Sequence, residues 1–153
     1  MKLYQIDEKD DQFTQLYERC RGMPGVDYVG PIPQPKLAEE LKSAWVHAYA
    51  NTFAETACVA IMEGMASGCG VVTSHLGSLP ETCAGYAKLI AEPPTSPAYR
   101  DAFVAAVVSL CRGIEQAETN QIEEHLRAQV DYCHTHYRWD VRATQWIDWL
   151  GSR

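Results

Sequence analysis

Val71, Val72 and Thr73 follow one another with no alternation of apolar and polar residues. A strand with one face in water alternates with period two, so a run without alternation is covered on both faces. The arrangement that covers both is a parallel sheet with helices packed above and below it. The surrounding sequence fits that constraint. Leu3 to Ile6 reads as a strand, and Phe13, Leu16, Tyr17 and Cys20 then recur at helical spacing up to Gly22 and the Pro24-Gly25 turn. Val26 to Val29 reads as a second strand closed by Gly30-Pro31, and Leu37, Leu41 and Ala44 mark the stripe of another helix. A strand at Trp45 to Tyr49, a loop from Asn51 to Ala54 and a helix over Thr56 to Ser67 follow, with Gly68 supplying the left-handed end. Leu79 to Ala84 reads as a short helix and Lys88 to Ile90 as the last strand.

From about Pro97 to Leu150 the chain is helical. Phe103, Val107, Leu110 and Ile114 form one stripe, Ile122, Leu126, Val130 and Cys133 a second. Ala143, Trp146, Ile147 and Leu150 form a third after an Asp140 N-cap. Strands alternating with helices give an α/β domain with a parallel sheet and additional C-terminal helices.

At 153 residues the chain is expected to form a single domain over 1–153. Its formal charge of -7 repels a polyphosphate backbone, which disfavours nucleic acid and leaves room for a small anion held locally. Six scattered cysteines without a CxxC pair read as reduced thiols, which points to the cytoplasm. No run is long and apolar enough for a membrane span, and the N-terminus lacks the pattern of a signal peptide.

The chemistry concentrates between Tyr49 and Thr82. Glu55 sits just before the expected helix, with Thr56, Ala57 and Cys58 as small residues on its first turn, and Glu63 lies eight positions on. Eight helical residues rise about 12 Å, so the two carboxylates can flank a ligand lying along the helix start. Between them the amides of Ala57, Cys58 and Val59 face outward with the positive end of the helix dipole, a natural pyrophosphate site. A carboxylate accepts two hydrogen bonds and a vicinal diol donates two, so this layout suits a sugar-diphosphate-nucleoside.

Several runs carry a family likeness. They are the Glu55 to Glu63 pair, Met65-Ala66-Ser67-Gly68, Val71-Val72-Thr73-Ser74, Leu79-Pro80-Glu81-Thr82, Val26-Asp27-Tyr28-Val29-Gly30 upstream and Tyr137-Arg138-Trp139 downstream. Together they closely resemble the C-terminal half of GT-B glycosyltransferases of the family 4 type. That resemblance implies a Rossmann-like donor-binding domain and transfer of a hexosyl group, with retention, from a nucleoside diphosphate sugar. It implies no metal and no cofactor. By the same resemblance Glu55 is the catalytic-site carboxylate that meets the donor sugar, and Glu63 holds the ribose hydroxyls. Thr56 and the amides of Ala57, Cys58 and Val59 meet the diphosphate, and Gly30, Pro31 and Ile32 lie near the base. Gly64 stands where such enzymes usually carry alanine, Cys58 where many carry glycine and Ala50 where a proline is common. The family also implies an N-terminal acceptor domain, here expected to be missing or on a separate chain, so that these residues alone would be inactive. Two other readings stay open: a non-catalytic nucleotide or sugar-phosphate binding module, or degenerate partner subunit, and an unrelated flavodoxin-like fold with an accidental glutamate spacing.

The remaining candidates have plainer explanations. Cys133-His134-Thr135-His136 matches no zinc spacing, and a helix puts His134 and His136 on different faces. His47 reads as structural, and His75, after a strand, has some claim to line a pocket. Trp139, Trp146 and Trp149 are expected to pack the last helix; any apolar surface left on it invites self-association into a homo-oligomer.

Overall fold

The computed structural model describes residues 13–116 and 120–152. The chain divides into two compact units, Met1–Gln34 and Pro35–Arg153. The expected strand at Leu3 to Ile6 lies outside the described residues.

In the first unit, α1 (Thr14–Arg21) forms where the helical spacing placed it. Tyr17 stacks on Tyr28 with ring centroids 5.6 Å apart, and the Arg21 guanidinium lies 4.7 Å from the centre of the Tyr28 ring. Val26 to Val29, expected as a strand, is irregular. The Val26 amide is spent on the preceding turn, where it donates to Met23 O, and Val26 and Val29 are exposed. Apolar composition alone does not make a strand without a partner ladder.

The second unit holds the sheet. Its elements are α2 (Gln34–Ser43, beginning at the unit boundary), β1 (Val46–Tyr49), α3 (Val59–Ala66), β2 (Gly70–Ser74), α4 (Leu79–Cys83) and β3 (Lys88–Ile90). The helices α5 (Pro97–Glu115), α6 (Asn120–His136) and α7 (Trp139–Gly151) follow. The three strands are parallel in the order β1-β2-β3. His47 pairs with Val71 and Tyr49 with Thr73, and Val72 pairs with Lys88. Every residue of β2 is buried, as the missing alternation required. Val71 points to one layer, with Ile61 and Met65 of α3, Leu79 and Cys83 of α4, and Cys133 of α6. Val72 points to the other, with Ile90, Tyr99 and the apolar stripe of Phe103, Val107 and Leu110 on α5. This is an α/β, Rossmann-like arrangement.

Helix α3 ends at Ala66, two positions before Gly68, a glycine with φ +84°. Gln129 of α6 is fully buried and closes that end, its Nε2 donating to Met65 O and Cys69 O, both at 2.9 Å. At the other end α3 begins at Val59 rather than Thr56, so Thr56 and Ala57 belong to the preceding loop. Cys58 is extended there (φ -113°, ψ 95°).

Two expectations about α7 are corrected. Its N-cap is Arg138, and Asp140 lies inside the first turn, where its carboxylate accepts from Arg138 Nε at 3.0 Å. That guanidinium holds the Asp140 carboxyl below the usual range. The tryptophans do not pack the helix: Trp139 is 86% exposed and Trp146 61%, and α7 has no buried residue. Among the described residues no helix is long and apolar enough to cross a membrane.

Candidate functional site

The loops after β1 and β2 emerge at the carboxyl edge of the sheet, where open α/β sheets bind ligands. Residue 51 organises the first. Asn51 Oδ1 accepts from the Phe53 amide at 2.7 Å, while its Nδ2 donates to Phe53 O at 2.7 Å and to Glu55 Oε1 at 2.8 Å. A short amide side chain closing on its own loop in this way is an Asx turn. Tyr49, the last residue of β1, donates its hydroxyl to the same Glu55 Oε1 at 2.6 Å. That bond, first among several causes, pushes the phenol above its ordinary value. Both lone-pair sites of Oε1 are thereby used. Burial pushes the Cys58 thiol up as well, and Glu55 adds to the effect, so the thiol stays protonated.

The second loop grips the main chain of the first. Ser78 donates its amide to Glu55 O at 2.9 Å. Gly77, at φ +56°, leaves no space for a side chain: a Cβ would lie 2.7 Å from Glu55 O, 2.8 Å from Glu55 N and 2.9 Å from Ala54 C. From beneath, the Ser74 hydroxyl donates to Asn51 O. Its single proton is committed there, so Tyr99 is the donor in the 2.7 Å contact with Ser74 Oγ. A chain of bonds therefore runs from α5 through β2 to the loop bearing Glu55. These contacts hold residues 51 to 55 away from helical geometry, and α3 starts only at Val59.

The late start moves the open amides. Only four steps of helix, about 6 Å of rise, separate Val59 from Glu63. The first-turn donors are those of Cys58, Val59 and Ala60, with the Ala57 amide in the loop before them. Among the described residues no main-chain carbonyl accepts from the amides of Ala57, Cys58 or Val59, and no side chain caps the helix. Glu55, at the helix approach, is not the cap.

Glu63 is half-buried on α3. It acts electrostatically on His47, whose imidazole burial pushes below its ordinary value. The adjacent Gly64 faces the same ring: a Cβ there would come within 2.9 Å of His47 Cγ. The glycine is therefore a fit to the histidine across the layer. Thr56 and Ala57 are exposed and Cys58 is buried. Gly30 (φ +62°), exposed Pro31 and half-buried Ile32 belong to the first unit. His75 is exposed, its amide bonded to Ile90 O at 2.8 Å. A concavity of about 380 Å³ lined by Gly70, Lys88, Leu110 and His125 lies at the opposite end of the strands.

Sequence reasoning missed Tyr49, Asn51, Gly77, Ser74 and Tyr99. Asn51 offered a signal, a turn-forming residue four before an acid. The others act through contacts that only the folded chain creates.

A family model described as Glycosyl transferases group 1 matches residues 6–112. No curated protein and no solved structure matches the chain. The matched segment takes in the sheet, both loops, Glu55 and Glu63, and the chain belongs to the group 1 glycosyltransferases.

Proposed function

We propose that this chain is the donor-binding part of a retaining glycosyltransferase of the family 4 type, moving a hexosyl group from a nucleoside diphosphate sugar to an acceptor. The observation that carries the reading is the pinned Glu55 carboxylate beside an uncapped helix start at the carboxyl edge of the sheet. The amides of Cys58, Val59 and Ala60, with Ala57 and Thr56 alongside, take the diphosphate. Their fixed dipoles stabilise the negative charge that grows on it as the sugar leaves. Oε1 of Glu55 is saturated, so a sugar hydroxyl must approach Oε2. Glu63 accepts from the ribose diol. No metal or cofactor is needed, and an acceptor domain or partner chain completes the reaction.

One observation favours a second reading. Saturation of Oε1 by Tyr49 and Asn51 also suits a carboxylate that only shapes a loop, as in a nucleotide-binding module without turnover. Calorimetric titration of the chain with UDP, GDP and ADP tests the site. One of the three should bind, and Glu63→Ala should weaken it about tenfold or more, the worth of a charged hydrogen-bond pair. No binding by the folded chain, or equal binding by Glu63→Ala, would refute the site. Donor hydrolysis or transfer once an acceptor domain is supplied separates the enzyme from the module.

A further inference from the structure

Helix α7 is amphipathic in the reverse sense. Val141 alone of its residues is half-buried, and 3.6 residues per turn put Trp139 on the opposite side of the helix. There Trp139 (86% exposed), Trp146 (61%) and Leu150 (60%) line up along the axis with Ala143 between them, flanked by Ile147 (69%) and Trp149 (46%). A helix that folds against its own domain turns its apolar stripe inward; this one turns it to solvent. Three indoles of about 200 Å² each, exposed to this degree, put on the order of 400 Å² of apolar surface on one helix before the aliphatic residues are added. A patch of that size marks an interaction site.

We infer that this face is a dimer interface, covered by α7 of a second copy of the chain packed antiparallel about a two-fold axis. The inference does not depend on the donor site. Residues 139, 143, 146 and 150 repeat at intervals of four and three, the spacing of a seam between two helices. Parallel pairing would set each residue against itself, with indole on indole at 139 and 146 and a gap at Ala143. Antiparallel pairing sets Trp139 against Leu150 and Ala143 against Trp146, so every layer joins a larger side chain to a smaller one. It also carries the Arg142 guanidinium to Trp149 of the second copy, beside a concavity of about 300 Å³ lined by Arg142, Gln145, Trp146 and Trp149. With Ile147 and Leu150 included, two such faces bury on the order of 1,200 Å², the lower end of the range for a stable interface, which corresponds to micromolar affinity. A membrane is the poorer fit. A helix that lies on lipid carries a polar face rich in Lys and Arg, whereas α7 has one Arg142 against Asp140 and Asp148, on a chain of net charge -7.

Sedimentation equilibrium of the whole chain from about 0.5 to about 100 μM brackets the expected transition. The mass should rise from 17.1 kDa toward twice that value. Trp146→Asp and Leu150→Asp should each keep the chain monomeric throughout; neither side chain is buried in one copy, so the fold does not require them. Val104→Asp, at a similarly exposed valine of α5, should leave the dimer intact. Ala143→Trp separates a fitted seam from the adhesion of any apolar surface: although it adds an indole, it should weaken the dimer about tenfold or more by collision with Trp146 of the second copy. A wild type that stays monomeric at the highest concentration, a dimer that survives Trp146→Asp, or one tightened by Ala143→Trp would overturn the inference. So would binding of the monomer to phosphatidylserine vesicles through the same tryptophans, which would assign the face to lipid.

Discussion

Replacing Gly77 by alanine tests the clamp on the Glu55 loop, and the structure supplies its own control. Gly77 and Gly85 both have positive φ, +56° and +86°, but a Cβ at Gly85 would meet nothing within 4 Å. Alanine in the left-handed region costs about 1–2 kcal/mol. About 0.4–1 kcal/mol of that is returned because alanine restricts the unfolded chain more than glycine does. Gly85→Ala should therefore destabilise by about 0.5–1 kcal/mol. Gly77→Ala carries the same backbone strain and adds a Cβ under 3.0 Å from three main-chain atoms of Ala54 and Glu55, which cannot rotate away. Relief requires moving the loop, which breaks the Ser78 to Glu55 hydrogen bond, worth about 1 kcal/mol. Overpacking of this kind adds about 1–3 kcal/mol, so the total should reach about 3 kcal/mol. Equilibrium urea denaturation of both variants measures the difference, and nucleotide titration reads the displaced carboxylate as lost affinity. Equal destabilisation by the two substitutions would refute the reasoning, because it would mean that residues 54 and 55 do not lie against residue 77.

Gly64→Ala should destabilise by about 1–2 kcal/mol through its collision with His47. In a His47→Ala background the same change should be neutral or stabilising, because alanine favours a helix over glycine by about 1 kcal/mol; a double-mutant cycle reads the coupling. Gln129→Met, which keeps most of the volume but leaves Met65 O and Cys69 O without their buried donor, should cost about 2–3 kcal/mol in a denaturant melt. Thiol labelling of the native protein at mildly alkaline pH should modify only Cys20 and Cys111, the half-buried pair. Cys58, Cys69, Cys83 and Cys133 are buried, and burial pushes Cys83 to about 12 and Cys133 to about 11, so these thiols stay protonated until the chain unfolds. Fast labelling of Cys83 would contradict the core.

The elements that sequence placed well are those whose cause is local. The helical stripe of Phe103, Val107 and Leu110 buries against Val72, and the unalternating β2 is buried throughout. Gly68 ends α3 at positive φ because no other residue takes that conformation without strain. The Glu55 and Glu63 pair was legible as a pattern, and the structure sets the first at the sheet's carboxyl edge and the second on α3 beside β1. The failures share a cause too. Val26 to Val29 looks like a strand by composition, but its Val26 amide closes a turn. The last helix carries three tryptophans that read as core and stand largely in solvent, because burial depends on what faces the helix and not on its own residues.

Sequence by itself determined a parallel sheet covered on both faces and its helical layers, since periodicity and glycine placement act over a few neighbours. Where α3 begins, which atoms hold Glu55 and why residue 64 lacks a side chain were decided only by tertiary structure. Each depends on residues such as Gly77, Tyr99 and His47 meeting partners 17 to 25 positions away, and no pattern within a short window encodes a contact made by chain reversal.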